Sequence, residues 1–447
     1  MRVTLRRLAA LGLVGVLGFA AAPVKKIQFT DTKLKNGLRV IISEDHSAPV
    51  FAVAVNYNVG SRDERKGRTG FAHLFEHMMF KGSANVGPGE HPHLVFANGG
   101  SMNGTTNKDR TLYYEILPAN QLDLALFLEA DRMRSLDITA ANLENQRNAV
   151  QEERRLGVDN QPYGRTFEVR DELAFDNFAY KHSVIGSMAD LGAATVDDVS
   201  SFFKTYYAPN NSVLSIVGDV DPKVTLEKVR KYFESIPSQP APPAVDITEP
   251  AQTEERRTTI EDGLARLTRL DMVDKTPPSS SPDDDALRVL GTVLSSGRSS
   301  RFYENIVRQK QLAPNVSAFG GESRGPNLFS VVGTVNPGKT VAELEAAIEA
   351  EIERVKAGPI EDWEIEKARN NARNQLVNSL GSALDRAITL GEDALFYNNP
   401  DRINTRADSI AKVTAADVQR VAKQYLVKTG RTVVITVPKA PPAKGDL

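Results

Sequence analysis

A stretch near the middle of the chain recurs near its end without a gap. Thr195-Val-Asp-Asp-Val-Ser-Ser-Phe-Phe-Lys-Thr-Tyr-Tyr-Ala-Pro-Asn-Asn-Ser-Val-Leu-Ser-Ile-Val-Gly218 aligns with Thr414-Ala-Ala-Asp-Val-Gln-Arg-Val-Ala-Lys-Gln-Tyr-Leu-Val-Lys-Thr-Gly-Arg-Thr-Val-Val-Ile-Thr-Val437 at a constant offset of 219. In both copies a threonine is placed to cap a helix and an aspartate, Asp198 or Asp417, stands in the first turn. Tyr206 or Tyr425 ends the helix, and β-branched residues continue as a strand. Residues 237–255 between the copies are rich in proline and carry no apolar periodicity, so they read as a linker dividing the chain almost equally. A duplicated unit restricts the fold to two homologous domains, expected at 23–236 and 256–447.

Alternation over 51–59 and 111–117 predicts strands, whereas 121–135 and 143–156 have helical spacing. Each half is therefore expected to be α+β, a mainly antiparallel sheet packed with helices. A length of 447 residues suits more than one core, and 41% hydrophobic with 25% charged content is that of a soluble globular protein. A formal net charge of −2 is too mild to imply nucleic acid or an anionic membrane as partner. Residues 1–22 combine Arg2, Arg6 and Arg7 with an apolar run over 8–21 and small residues before Pro23, the pattern of a cleaved secretory signal. That run falls short of the roughly 20 residues needed to cross a bilayer, so no membrane span is expected after cleavage. Cysteine is absent. An exported product therefore uses neither disulfides nor thiolate ligands, and a periplasmic location fits.

The chemistry concentrates at His73-Leu-Phe-Glu76-His77. Helical residues four apart lie one above the other, so both imidazoles can converge on one ion while Glu76 flanks it. Zinc held by three protein groups keeps a position for water, whose pKa falls to about 7, and Glu76 would take that water's proton. The order His-x-x-Glu-His reverses the commoner His-Glu-x-x-His. A core helix with hydrogen-bonded histidines is the plainer alternative. For a third ligand, helix 143–156 offers Glu152 and Glu153, and composition does not choose between them. The comparable helix of the second half, 283–294, contains no histidine and so no counterpart of the motif. His46, His91, His93 and His182 have no acidic or imidazole companion at ligand spacing and read as surface or loop residues.

The signal, the run Gly-x-Ala-His-x-x-Glu-His-Met-x-Phe-Lys-Gly at 70–82 and the acidic helix 76 residues on together resemble the pitrilysin/insulinase family of zinc peptidases, inverzincins by their motif order. That resemblance implies Glu153 as the third zinc ligand, with Glu152 left to solvent. It places Gln146 beside the site, seven residues earlier on the same helix face, where the family often has glutamate. Asn103-Gly104-Thr105-Thr106 reads on composition as a polar turn, but it resembles the family's Asn-Ala-x-Thr segment, whose edge strand pairs with peptide substrates by β-augmentation through residues such as Asn103, Gly104 and Thr105. Gly104 stands where alanine is usual. The family also brings an Arg/Tyr pair from its distal half. Here Arg308 is present but Pro314 occupies the tyrosine position, offering no hydroxyl and no backbone donor. Active members enclose a chamber with four homologous domains, and this chain brings two. The resemblance thus implies a zinc endopeptidase acting on peptides or short unfolded polypeptides. A second subunit of the same family would supply the Arg/Tyr pair, a heterodimer being favoured over a homodimer. The alternative is a non-catalytic scaffold or peptide-binding core subunit of the same fold.

Overall fold

Two sheets, one in each half, carry the architecture in a computed structural model that describes residues 26–439. The expected signal at 1–22 lies outside the described residues. Strands β1 (Thr30–Lys33), β2 (Arg39–Glu44), β3 (Val50–Tyr57), β4 (Ser101–Thr106), β5 (Thr111–Pro118) and β6 (Ser212–Gly218) form the first sheet in the order β1-β2-β6-β3-β5-β4. Strands β7 (Arg256–Asp262), β8 (Arg269–Thr276), β9 (Val316–Gly320), β10 (Asn327–Thr334) and β11 (Arg431–Pro438) form the second in the order β7-β11-β8-β10-β9. Each sheet is antiparallel except for one parallel pair, β2 with β6 and β7 with β11. The architecture is α+β, two mainly antiparallel sheets packed with helices.

The repeated segments occupy matching places. Helices Val196–Tyr206 and Ala415–Tyr425 both open on a capping box, with Thr195 Oγ1 accepting from Asp198 N at 3.1 Å and Thr414 Oγ1 from Asp417 N at 3.2 Å. Each leads into the strand that carries its sheet's parallel pairing, β6 or β11.

Both faces of the first sheet are covered, and β3 shows how. Phe51, Val53, Val55 and Tyr57 point into the core of their own half, whereas Ala52 and Ala54 meet Ala387, Leu390 and Ala394 of helix Ala383–Tyr397 from the other half. The small residues let that helix come close: a Cβ on Gly391 would stand 2.3 Å from Asn56 Nδ2. In return, helix Gly164–Ala174 of the first half lies on the second sheet, where Thr166 Oγ1 and Thr436 Oγ1 hydrogen-bond at 2.7 Å. The halves thus exchange helices. Residues 237–255 contain no helix or strand but lie as an ordered strap. Within it the Glu249 carboxylate accepts from Asp176 N, Asn177 N and Lys275 Nζ at 2.9, 3.0 and 2.5 Å.

Candidate metal centre

His73, Glu76 and His77 lie on helix Phe71–Met78, and Glu153 lies in the last turn of helix Ala140–Arg154 packed against it. Phe71, Ala72, Leu74, Phe75 and Met78 bury the opposite faces of the short helix, so its two imidazoles are the groups left toward the second helix. His73 Nε2 stands 3.6 Å from Glu153 Oε1, and His77 Nε2 stands 3.3 Å from Glu153 Oε2. The imidazole rings are 4.8 Å apart at 81°. In this structure burial, then the neighbouring His77, lowers the His73 pKa to about 4, so that ring is a neutral imidazole near neutral pH. A hydrogen bond from His77 holds the Glu153 carboxyl below its ordinary range.

One donor atom from each of the three residues lies within 4.8 Å of the other two. Tetrahedral zinc with bonds of 2.0–2.2 Å separates its ligand atoms by about 3.4 Å, which the two imidazole–carboxylate separations of 3.3 and 3.6 Å approach. His73 exposes 12% of its side chain and Glu153 50%, which opens the cleft on the carboxylate side.

Glu76 is buried one helical step from His77 and is held from the edge strand. Thr106 Oγ1 donates to Glu76 Oε2 at 2.7 Å, and Gly104 lies so close that a Cβ there would be 2.9 Å from both Glu76 Cγ and Oε1. Burial raises the Glu76 pKa against the opposing effect of the Thr106 hydroxyl. Thr106 closes the segment that resembles a substrate-pairing strand, but nothing in that resemblance points to its bond with Glu76. The signal was there in strand periodicity, since Gly104 and Thr106 share one face of β4.

Asn103, Gly104 and Thr105 sit on β4, the edge of the first sheet nearest the helix. Asn103 Oδ1 accepts from Gly104 N at 2.8 Å, and Arg110 binds the Thr105 carbonyl at 2.8 Å while pairing with Glu392 of the exchanged helix. Gln146 is buried on the same helix as Glu153 but donates to Asn145 Oδ1 at 2.5 Å, and among the described residues no hydrogen bond joins it to the three converging groups. Glu152 is exposed and pairs with Arg155. In the second half Arg308 is exposed and pairs with Glu304, while Pro314 is exposed beside buried Leu312 and Ala313. Helix Asp284–Ser295 occupies the place of the histidine helix there and bears no counterpart of the cluster.

Two of the remaining histidines correct the sequence reading. His91 is buried with Nε2 2.5 Å from Glu115 Oε1, in a cluster with Glu129 and Arg132, and burial lowers its pKa to about 3. His182 bonds Glu64 at 2.9 Å. Both companions lie far off in sequence, 24 and 118 residues away, so no local spacing announced them. His93 is exposed, and exposed His46 pairs with Glu44 and Asp219.

The model of the insulinase family, peptidase family M16, matches residues 39–187, and that of the peptidase M16 inactive domain matches 193–372. Zinc protease PqqE of Helicobacter pylori is 31% identical over 408 residues, covering 91% of this chain and 92% of that protein. The chain belongs to the M16 peptidase family. Within M16, a probable mitochondrial-processing peptidase subunit beta of Arabidopsis thaliana is 26% identical over 411 residues, 88% of this chain and 76% of the relative. Among solved structures, a protease from Helicobacter pylori matches with a TM-score of 0.87 at 30% identity, covering 92% of this chain and all of the other. The fold also matches the first half of the periplasmic protease PqqL from Escherichia coli, TM-score 0.77 at 18% identity over 94% of this chain and 93% of that half. Against whole PqqL the match covers 48% of that chain. This M16 chain has the fold of half of PqqL. No helix among the described residues is long and apolar enough to cross a membrane.

Proposed function

We propose that the chain is a zinc-dependent endopeptidase that hydrolyses peptides or short unfolded polypeptides inside a chamber completed by a second subunit. His73, His77 and Glu153 are the residues that would hold the metal. The observation that carries this reading is the meeting of two imidazole Nε2 atoms and both Glu153 oxygens at 3.3 and 3.6 Å, an arrangement of electron-pair donors that a divalent cation satisfies. A zinc ion bound there supplies a polarised water and a Lewis acid for a scissile carbonyl.

The chain's own residues do the rest. Glu76 accepts the proton of the attacking water on the carboxylate that Thr106 orients, and its raised pKa brings a carboxylate base closer to the operating pH. Asn103, Gly104 and Thr105 give β4 an unpaired edge on which an extended peptide can add as a further strand. Pro314 at the tyrosine position offers no phenol there. That absence, together with a fold matching half of PqqL, supports a partner subunit of the same family that brings an Arg/Tyr pair. A heterodimer is the favoured assembly, and residues 1–22 support export to the periplasm.

The test is zinc analysis joined to cleavage of a mixed peptide library, with the purified chain alone and then mixed with the product of its genomic neighbour. The expected result is one zinc per chain and chelator-sensitive cleavage that needs the mixture. Zinc-free, chelator-indifferent preparations that bind peptides without cutting them would establish the scaffold alternative instead.

A further inference from the structure

The histidine helix is eight residues long and begins at Gly70, which has φ of 82° and no side chain with which to cap. So short an element has little cooperative strength of its own, and its first N–H groups need partners from elsewhere. Glu64 supplies them from six residues upstream. Its Oε2 accepts from Gly70 N at 2.9 Å and its Oε1 from Ala72 N at 2.8 Å, placing a carboxylate at the positive end of the helix dipole.

The Glu64 side chain has no exposure, and a buried carboxylate needs a counter-charge. His182 provides it. Nε2 faces Glu64 Oε2 at 2.9 Å and Nδ1 faces the Phe178 carbonyl at 2.7 Å. Both neighbours can accept, so the ring can donate from both nitrogens, and against the effect of burial the Glu64 contact raises the His182 pKa. The ring also stacks on Phe178 with centroids 4.4 Å apart.

The stretch that begins at His182 is pinned to the same helix start at further points. Asp190 Oδ2 accepts from Thr69 N and Thr69 Oγ1 at 3.0 and 2.6 Å, and Thr69 Oγ1 accepts from Ser187 N at 3.1 Å. Gly186, at φ of 74°, approaches so closely that a Cβ would stand 2.4 Å from Gly70 N. The other helix reaches this block too: Arg154, the residue after Glu153, donates to the Gly186 carbonyl at 2.7 Å and pairs with Glu168 at 2.6 Å. Segment 182–190 therefore grips the start of the histidine helix and the end of the glutamate helix, yet makes no hydrogen bond to His73, His77 or Glu153.

We infer that Glu64 and His182, with Arg154 on Gly186, are positioning residues that set the separation between the imidazole pair and the Glu153 carboxylate and so determine metal affinity. The inference rests on the metal reading of those three residues. A purely structural cap would lower stability alone. A positioning device also weakens metal binding in molecules that remain folded, by roughly 10- to 100-fold, the range found when groups supporting metal ligands are removed.

The experiment measures the zinc dissociation constant of the full chain by competition with a chromophoric chelator, beside the melting temperature without metal. Glu64→Gln and His182→Gln are compared with Glu364→Gln, which removes a glutamate paired with Arg301 and capping helix Asp362–Asn378 in the other half. The expected result is weaker zinc binding by 10- to 100-fold in the first two and wild-type affinity in the third, whatever its melting temperature. Should Glu64→Gln fail to fold, His182→Gln decides. Affinity within twofold of wild type in folded His182→Gln overturns the inference while leaving the metal reading intact. A wild-type chain that takes up no zinc overturns both.

Discussion

Replacing Glu76 by glutamine separates the proposed base from everything that positions it. Glutamine matches glutamate in volume, so it fits the space between helix and edge strand where Gly104 leaves no room for a Cβ. Its amide oxygen can still accept the Thr106 hydroxyl bond now made at 2.7 Å. No ligand is removed, so zinc content should equal that of wild type. What is lost is the proton acceptor. General-base catalysis contributes about a hundred- to ten-thousand-fold, or ~3 to 5 kcal/mol of barrier. Stability should move the other way. Burial already disfavours the ionised Glu76, so a neutral isostere should melt at the same temperature as wild type or higher, a trade of stability for function. The assay is kcat/KM on a quenched peptide at matched zinc occupancy, with metal content and metal-free melting temperature measured on the same preparation. Cleavage within tenfold of wild type at equal zinc would refute Glu76 as the base. A large drop in melting temperature would refute the account of its burial.

Gly104→Val should displace the Glu76 carboxylate, because even a Cβ would stand 2.9 Å from its Cγ and Oε1; misplacement of a reacting group by about 1 Å can cost a hundredfold in kcat/KM. Unchanged kinetics in a folded, zinc-loaded variant would show that the strand does not position the base. Glu115→Gln tests the buried cluster around His91. Burial pushes the Glu115 pKa up to about 7, above its value in the unfolded chain, so the native state keeps a proton that the unfolded chain releases as pH rises. Wild-type stability should then fall between about pH 4.5 and pH 7, by of order 3 kcal/mol from this group, and the glutamine variant should gain on wild type from pH 5 to pH 8 in urea unfolding. An equal difference at both pH values contradicts the raised pKa.

The duplicated helix and strand were legible because their information is local: a capping threonine, an aspartate three residues on and β-branched residues act within one turn of themselves. The exchange of helices was not. Ala52 and Ala54 read as the weak side of an alternating strand, whereas they are the small surface that admits Ala387, Leu390 and Ala394 from the other half. Burial of both faces left the alternation one of large and small residues instead of apolar and polar ones. The proline-rich stretch was legible as lacking regular structure. Its role as a strap bound through Glu249 was not, since that carboxylate's partners lie 72, 73 and 26 residues away.

The same division runs through the candidate site. His73, Glu76 and His77 share one helical turn, so their convergence is legible in the spacing. Glu153 needed the family resemblance, because adjacent Glu152 is identical in composition and only the direction of the helix face separates the residue paired with Arg155 from the one facing the imidazoles. Glu64 and His182 could not be found by either route of spacing. A glutamate in a charged loop and a lone histidine become one buried ion pair only when the chain returns after 118 residues to the start of an eight-residue helix. A helix that short, carrying two imidazoles and a buried acid, has no internal means of holding its place, so the groups that hold it must come from distant parts of the chain. Those distant groups are where sequence spacing fails first and where a change far from the metal should still alter its affinity.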